Sequence, residues 1–346
     1  MEFCKQTQLN DRIWPYLLGA FFGTLLTVLA ACWTGAHGEY TASEELGLIL
    51  LRAIAVVLLL LIVPALWARL AHRISPWVLL GLAAFTFTCG LLFSGDAMTA
   101  LYGVLLIALP GAGLFGLQKL RLSNFRTVLY ESFLVLAALF GFLCLNDMVK
   151  FGDAYRPFKH VIGLYGTVLN EWNALLGELG GTQISTAAAE LISEVRKSPE
   201  ALFVPMLMTV AMTAGLSVTL FSHLFNRRGD AELTTLPPFS EWRCERWYVY
   251  LAAGFLLVTM LLGAMGVQGG DALSGVAGVL WRMPCTLAGL CTVRSIGLRL
   301  KKGWIFWIAI AMLVTLPMFA WMALAVIGMM SALRRPSNAG EDGIRK

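Results

Sequence analysis

The sequence predicts an all-α fold, a polytopic transmembrane helix bundle. Hydrophobic residues occupy 58% of the 346 positions and charged residues only 14%, whereas a soluble globular chain carries about 25% charged residues. The apolar residues fall in runs close to the roughly 20 residues that a membrane helix needs. The net charge of +5 is concentrated in loops, which is typical of membrane orientation and not of nucleic-acid binding. The lipid bilayer is therefore the first predicted partner, and no nucleic acid is expected.

About nine runs are candidate spans, and eight to ten are possible. They are Ile13–Trp33, Leu46–Trp67, Trp77–Phe93, Ala97–Leu117, Val128–Leu145, Ala201–Phe225, Trp247–Val267, Ala272–Ile296 and Trp304–Leu333. The last run is too long for one upright helix, given a rise of about 1.5 Å per residue. We expect Pro317 either to kink it or to split it into two short helices.

The lysines and arginines predict the orientation of the spans. Three loops carry none: Trp33–Leu46, Ser94–Asp96 and Gln268–Asp271. The loops on the opposite side contain Arg69, Arg73, Lys119, Arg121, Arg126, Arg227, Arg228, Arg243, Arg246, Arg294, Arg299, Lys301 and Lys302. Because basic residues collect on the cytoplasmic side, we predict a multi-pass protein of the bacterial cytoplasmic (inner) membrane with a cytoplasmic N-terminus. Arg334 and Arg335 also favour the cytoplasm, so either Pro317 makes a hairpin of the last run or the rule fails at the tail.

The alternation of apolar and polar sequence divides the chain. Residues 1–146 form an N-terminal membrane part of five spans, residues 147–199 an extracytoplasmic helical segment, residues 200–333 a C-terminal membrane part and residues 334–346 a polar tail. The extracytoplasmic segment has an apolar stripe at helical spacing: Phe158, Ile162, Tyr165, Leu169, Trp172, Leu176 and Leu179. This amphipathic helical insert either packs on the outer mouth of its own bundle or lies in the interface, or it forms a dimer seam or a moving lid. A shorter helix, Ala187–Arg196, is expected to follow.

The sequence contains no motif that indicates catalysis or a cofactor. The G-x-G-x-x-G match at Gly111–Gly116 has no βαβ unit around it, so it indicates close packing of helices. The seven cysteines include no C-x-x-C pair and the four histidines are scattered, so we expect no metal site and no cofactor. We predict that the protein is not an enzyme. Leu29–Cys32 resembles a lipobox, and lipidation of Cys32 stays an alternative, although the preceding apolar run is longer than usual.

Arg282 is the charged residue that the sequence places deepest in the membrane. It lies about eleven residues after Asp271, roughly 16 Å along a helix, where insertion costs on the order of 2.5–3.5 kcal/mol. Pro284 frees the carbonyl of Leu280 beside it, because proline cannot donate a hydrogen bond. Arg282 therefore either fixes packing through a carboxylate or carbonyl, or attracts an anionic or carbonyl-bearing ligand.

Three acidic residues complete the candidate substrate-binding site. Glu131 is expected about one turn above the inner surface, near Arg126 and facing that surface. It is also the nearest candidate counter-charge for Arg282 if both helices face the core, and Asp147 is the next. Asp271, like Asp96, is expected to cap the helix that follows it.

The tryptophan-rich cytoplasmic loop Leu236–Trp247 is a second candidate surface. Phe239, Trp242 and Trp247 suit the headgroup level, and Arg243 and Arg246 suit lipid phosphates. The loop either anchors the chain at the membrane or docks a cytoplasmic partner.

Several stretches resemble the YybS-like family of uncharacterised bacterial membrane proteins. They are Leu109–Leu129, Leu236–Trp247, Ala288–Trp304 and Ala323–Arg335. The resemblance implies a polytopic membrane protein without an established activity. The family has been likened to the substrate-binding membrane subunits of vitamin uptake systems, which is analogy alone.

The sequence thus favours a small-molecule binding or transport component with a mid-membrane polar site around Arg282. A non-enzymatic scaffold or assembly protein of the cell envelope is the alternative. The first would place Arg282 in a reachable cavity. The second would present partner surfaces at the amphipathic helix or the tryptophan-rich loop to a membrane or cytoplasmic protein.

Overall fold

The computed structural model describes residues 13–32, 40–120, 122–178, 199–226, 242, 244–267 and 269–334. These residues form helices and no strands, which confirms the predicted all-α class. Eight helical segments among them are long and apolar enough to cross a membrane. The segments are Trp14–Cys32, Ala42–Arg73, Trp77–Ser94, Ala97–Lys119, Phe125–Phe151, Pro199–Phe225, Arg246–Ala264 and Gly270–Arg299.

The chain divides into two compact units, Met1–Thr235 and Leu236–Lys346. The helices of unit 1 are α1 (Trp14–Cys32), α2 (Ala42–Leu60), α3 (Val63–Arg73), α4 (Trp77–Ser94), α5 (Ala97–Lys119), α6 (Asn124–Phe140), α7 (Asn146–Phe151), α8 (Arg156–Glu178) and α9 (Pro199–Asn226). Those of unit 2 are α10 (Arg246–Ala264), α11 (Gly270–Arg299), α12 (Trp304–Thr315) and α13 (Pro317–Leu333). Within unit 1, α9 packs along α6, and the predicted division into membrane and extracytoplasmic parts stays a prediction.

The second membrane segment is interrupted between α2 and α3. Pro64 stands at the start of α3 and has no N–H group to donate to Leu60, four residues earlier, so the helix ends at Leu60 and restarts at Val63. Every residue from Val63 to Ala71 is buried. Trp67, for example, is fully buried and donates its indole N–H to Thr24 Oγ1 over 2.8 Å. The half-helix α3 is therefore an interior element of unit 1.

The Phe125–Phe151 segment has a different irregularity. Residues Gly141–Leu145 form a π-helical turn between α6 and α7, and the helix continues through it. Such turns insert one extra residue into a helix and often occur at functional sites.

The amphipathic helix α8 packs on its own unit, as the first of the two predicted alternatives requires. His160 Nε2 lies 3.0 Å from Glu45 Oε1 at the start of α2, and the rings of Phe158 and Phe203 are 5.0 Å apart. Farther along the stripe, Tyr165 and Trp172 remain 47% and 58% exposed. The predicted helix Ala187–Arg196 lies outside the described residues.

Unit 2 is built on a parallel contact between α11 and α13, since Thr286 meets Trp321 and Thr292 meets Ser331. A Cβ on Gly289 would lie 2.7 Å from the carbonyl carbon of Leu324, and one on Gly328 would lie 2.7 Å from Gly289 N. Glycine is needed at both positions because the two backbones touch.

Pro317 splits the last predicted run into α12 and α13, so the long run is two helices. Arg246, at the start of α10, donates from Nε to Ala332 O and from Nη2 to Leu333 O, both over 3.1 Å. A cation at these carbonyls complements the negative end of the α13 dipole. Arg334 therefore lies beside the start of α10, which agrees with the alternative that returns the tail to the predicted cytoplasmic side.

Candidate functional site

Arg282 lies on α11 and is exposed. Its Nη2 atom is 4.0 Å from the position that a Cβ on Gly278 would take, so the side chain runs back toward the start of the helix, as helical side chains usually do. No hydrogen bond or ion pair of Arg282 involves a residue that the structure describes. Unit 2 does not enclose this side chain, and the pocket around it stays a prediction.

The carbonyl that Pro284 frees has a partner other than Arg282. Tyr248 on α10 donates its hydroxyl to Leu280 O over 2.7 Å, and the Tyr248 side chain is buried. The prediction of a freed carbonyl is confirmed, but the donor comes from the neighbouring helix.

Asp96 and Asp271 follow a similar local sequence but occupy different positions. Asp96 is the N-cap of α5 and accepts hydrogen bonds from Met98 N at 3.4 Å and Thr99 N at 2.8 Å. It also pairs with Lys150, and the hydrogen bonds from Lys150 and Thr99 hold the pKa of Asp96 below its usual range. Asp271 is exposed in the first turn of α11, whose N-cap is Gly269 at φ 79°. The expected cap at Asp271 is therefore wrong.

The tryptophan-rich loop is described only in part. Phe239 and Arg243 lie outside the described residues. Trp242 is half-buried, while Trp247 is 45% exposed and donates its indole N–H to Glu245. Arg246, at the start of α10, is half-buried against the end of α13. Its described hydrogen bonds are therefore intramolecular.

Among the described residues of unit 1, Glu131 carries a carboxyl group that lies in the interior. It is 0% exposed, and neither carboxylate oxygen has a hydrogen-bond partner among the described residues. Val128 and Val135, which lie three and four residues away on the same face of α6, are also buried, and so is the adjacent Ser132. The expectation that Glu131 faces the surface is therefore wrong.

The helices α6 and α9 approach each other closely beside Glu131. A Cβ on Gly215 of α9 would lie 2.6 Å from Ser132 N and 2.7 Å from Ser132 Cα, so only glycine fits there. Ser132 Oγ donates to Val128 O over 2.7 Å, and Thr219 Oγ1 donates to Gly215 O over 2.8 Å. Both hydroxyl protons are thus committed to carbonyls of their own helix.

A polar chain joins α3, α5 and α9 of unit 1. His72 Nε2 lies 2.8 Å from Gln118 Oε1, and Gln118 donates from Nε2 to Ser222 Oγ. Arg69, one turn before His72, is buried with Cζ 5.7 Å from the Tyr16 ring. This chain was not predicted, because its members are far apart in sequence and share no motif.

Asp147 lies at a cleft at the opposite end of its membrane segment from Arg126. The cleft has a volume of about 590 Å³ and is lined by Asp147, Phe151, Asp153, Arg156, Pro157, Lys159 and His160. Asp147 and Glu131 are sixteen positions apart on one segment, roughly 24 Å along a helix. The structure therefore does not bring these two predicted site residues together.

The cleft carries opposite charges that are largely paired. Lys159 Nζ lies 2.8 Å from Asp153 Oδ2, and this hydrogen bond, with one from the Tyr155 backbone, lowers the pKa of Asp153. Arg156 Cζ lies 3.5 Å from the centroid of the Phe151 ring. In the part of the chain that the structure describes, no three His, Cys, Asp or Glu side chains are grouped so that they could hold a metal ion.

A family model described as "Predicted membrane protein (DUF2232)" matches residues 46–330. The chain belongs to this family. The match covers the region from the start of α2 nearly to the end of α13, and therefore includes both Glu131 and Arg282. No curated protein and no solved structure matches the chain. Family membership establishes an integral membrane protein, which the eight apolar segments support.

Proposed function

We propose that the protein is a small-molecule binding or transport component of the bacterial cytoplasmic membrane, with its polar site inside unit 1 around Glu131. The observation that carries this proposal is the complete burial of a carboxyl group whose two oxygens have no partner among the described residues. The YybS-like resemblance and the cytoplasmic N-terminus are compatible parts of the same proposal.

The burial of Glu131 without a partner among the described residues has an energetic cost. Burying a polar group without a hydrogen bond costs roughly 1–3 kcal/mol in proteins. Ionisable residues inside membrane segments are rare, and they mark pathways for substrates, ions or protons. A carboxyl group that stabilises nothing nearby is therefore better explained by binding than by packing.

The helix irregularities of unit 1 support a binding site. Membrane transporters commonly form their sites from interrupted helices, whose freed backbone groups line a cavity. In unit 1 the second membrane segment is interrupted at Leu61–Ile62, and a π-helical turn follows α6 at Gly141–Leu145. The turn is followed by Asn146, whose buried Oδ1 also has no partner among the described residues.

The role predicted for Arg282 stays a separate hypothesis. An exposed guanidinium on a membrane helix would attract an anionic or carbonyl-bearing ligand whether or not Glu131 takes part. The two positions can therefore be tested side by side. A scaffold protein, the alternative function, predicts that neither substitution changes small-molecule binding.

The test is to identify small molecules that remain bound after purification. Wild type, Glu131→Gln and Arg282→Ala are purified in lipid nanodiscs and denatured, and the released compounds are measured by mass spectrometry. Glu171→Gln is the matched control, because Glu171 is exposed on α8. We expect a compound released by wild type and the control and reduced at least about tenfold in Glu131→Gln, which corresponds to about 1.4 kcal/mol.

Two outcomes would contradict the proposal. One is a wild-type protein that releases no small molecule beyond lipid and detergent. The other is equal release by wild type and Glu131→Gln. A loss restricted to Arg282→Ala would move the site to unit 2.

A further inference from the structure

We propose that Glu131 is a reversible proton-binding site. It holds a proton while α6 and α9 are packed as the structure shows them, and it releases the proton when they separate. This inference rests on the proposed function and names the proton as its coupling ion.

The surroundings of Glu131 determine the charge of its carboxyl group. An isolated ionised carboxylate in an apolar interior costs far more than any net stabilisation that a protein could supply. The described residues provide Glu131 with no hydrogen-bond donor and no ion pair. The neutral acid is the state that this environment accepts.

Other charged groups lie on the helices around Glu131. Charged or titratable side chains on the helices that pack against Glu131 include Arg126 on α6, Lys119 on α5, and Glu200 and His223 on α9. Lys119 Nζ lies over the Phe115 ring at 4.6 Å, and Glu200 stands fifteen positions before Gly215, roughly 22 Å along α9. None of these groups is a hydrogen-bond partner of either Glu131 oxygen.

A proton and a metal cation need different numbers of ligands at a binding site. A hard cation such as Ca²⁺ takes about 6–8 oxygen ligands, and Mg²⁺ takes about six in octahedral geometry. The hydroxyls of Ser132 and Thr219 are hydrogen-bonded to their own helices, and the backbones touch at Gly215. Such close packing beside the carboxyl favours a proton, which needs no coordination shell.

Release of the proton from Glu131 requires α6 and α9 to separate. The α6–α9 contact is made by small residues, including Ala211, Ala214 and Gly215, which are buried. Pro205 interrupts the hydrogen-bond ladder of α9 above this contact, so α9 can bend there without losing a backbone donor. When the helices separate and water enters, the carboxylic O–H bond breaks, the electron pair stays on the oxygen and the proton passes to water. No oxidant or other reactant is required.

Infrared difference spectroscopy tests the protonation directly. Wild type, Glu131→Gln and the control Asp153→Asn are compared in lipid nanodiscs at neutral pH, in choline buffer and again in sodium buffer. We expect wild type and Asp153→Asn to show the carbonyl stretch of a protonated carboxylic acid, and Glu131→Gln to lose it. Identical wild-type and Glu131→Gln spectra would overturn the proposal. A band present in choline buffer and absent in sodium buffer would also overturn it, because sodium would then replace the proton.

A second measurement needs no variant and tests reversibility. An apolar carbodiimide reacts with protonated carboxyl groups in membranes by adding the acid across its C=N bond, and the product is located by peptide mass spectrometry. We expect Glu131 to be labelled in wild type, and the labelling rate to fall as the pH rises. Absence of labelling at every pH would show that the group never opens to exchange.

The outcomes separate this inference from the proposed function. Retention of a small molecule that depends on Glu131, with no acid band, would leave the binding function standing and refute the proton. An acid band without any retained small molecule would establish the proton site and refute the proposed small-molecule function.

Discussion

Replacing the fully buried Glu131 with methionine is expected to stabilise the protein, whereas substitution of a buried residue usually destabilises it. Methionine fills a similar volume and adapts its shape to the site. The substitution removes two buried oxygens that have no partner among the described residues. Because an unsatisfied buried polar group costs about 1–3 kcal/mol, we expect the free energy of unfolding to rise by about that amount.

The opposite sign is expected if Glu131 belongs to a hidden ion pair. Removing one member of a buried pair leaves the other charge uncompensated and costs about 3–5 kcal/mol. The two explanations therefore differ by about 4–8 kcal/mol and in direction. Glu131→Gln, which keeps the shape and polarity, should lie between wild type and Glu131→Met.

The assay is equilibrium unfolding in mixed micelles, followed by circular dichroism and repeated over a range of denaturing detergent. Glu171→Met is the control, since surface substitutions usually change stability by less than about 0.5 kcal/mol. A loss of stability in Glu131→Met larger than in the control would refute the conclusion that the carboxyl is unpaired.

Three further predictions concern contacts away from the carboxyl. Tyr248→Phe should lower the free energy of unfolding by about 1–3 kcal/mol, because the carbonyl of Leu280 loses its donor; Tyr250→Phe, at a 66% exposed position, should change it by less than about 0.5 kcal/mol, and equal effects would contradict the hydrogen bond. Gly215→Ala should destabilise by about 1–3 kcal/mol because its Cβ would overlap Ser132, whereas Gly254→Ala, which has open space around it, should be neutral or stabilise by up to about 1 kcal/mol. Asp96→Ala should lose about 1 kcal/mol at neutral pH through its cap. Since the pKa of Asp96 is lowered in the folded state, its ionised form stabilises the fold above the usual aspartate pKa, and that stabilisation is lost as the pH falls through the lower folded value. The difference between wild type and Asp96→Ala should therefore begin to narrow as the pH falls below the usual aspartate pKa and should be smallest below the lowered folded pKa; a difference that stays constant through that whole range would contradict the assignment.

The membrane spans were readable from the sequence because length and apolar composition determine them locally. The split at Pro317 and the carbonyl freed by Pro284 were also predictable, since both follow from the missing N–H group of proline. The donor to that carbonyl was not, because Tyr248 is 32 residues away and its position depends on how α10 and α11 align. The role of Arg282, whose partner the sequence left open, stays a prediction.

The two aspartate turns show where a local motif stops being informative. Gly95–Met98 and Gly270–Leu273 share three residues, yet only Asp96 becomes an N-cap. Before α11 the chain turns at Gly269 with φ 79°, so the helix begins at Gly270 and Asp271 already lies inside it. Glu131 was misassigned for a related reason: counting residues from Arg126 gave its depth, but its direction depended on which face of α6 meets α9.

The comparison of Arg69 with Glu131 separates a structural charge from a functional one. Both side chains are buried in unit 1, but Arg69 lies 5.7 Å from the Tyr16 ring and takes part in further interactions. Glu131 has no partner among the described residues, so an apolar side chain would satisfy its environment better. A functional site is expected to keep a side chain that makes the fold less stable than another residue would, because function and stability favour different side chains there. The decisive combination is therefore a Glu131→Met protein that unfolds later than wild type and no longer retains its small molecule.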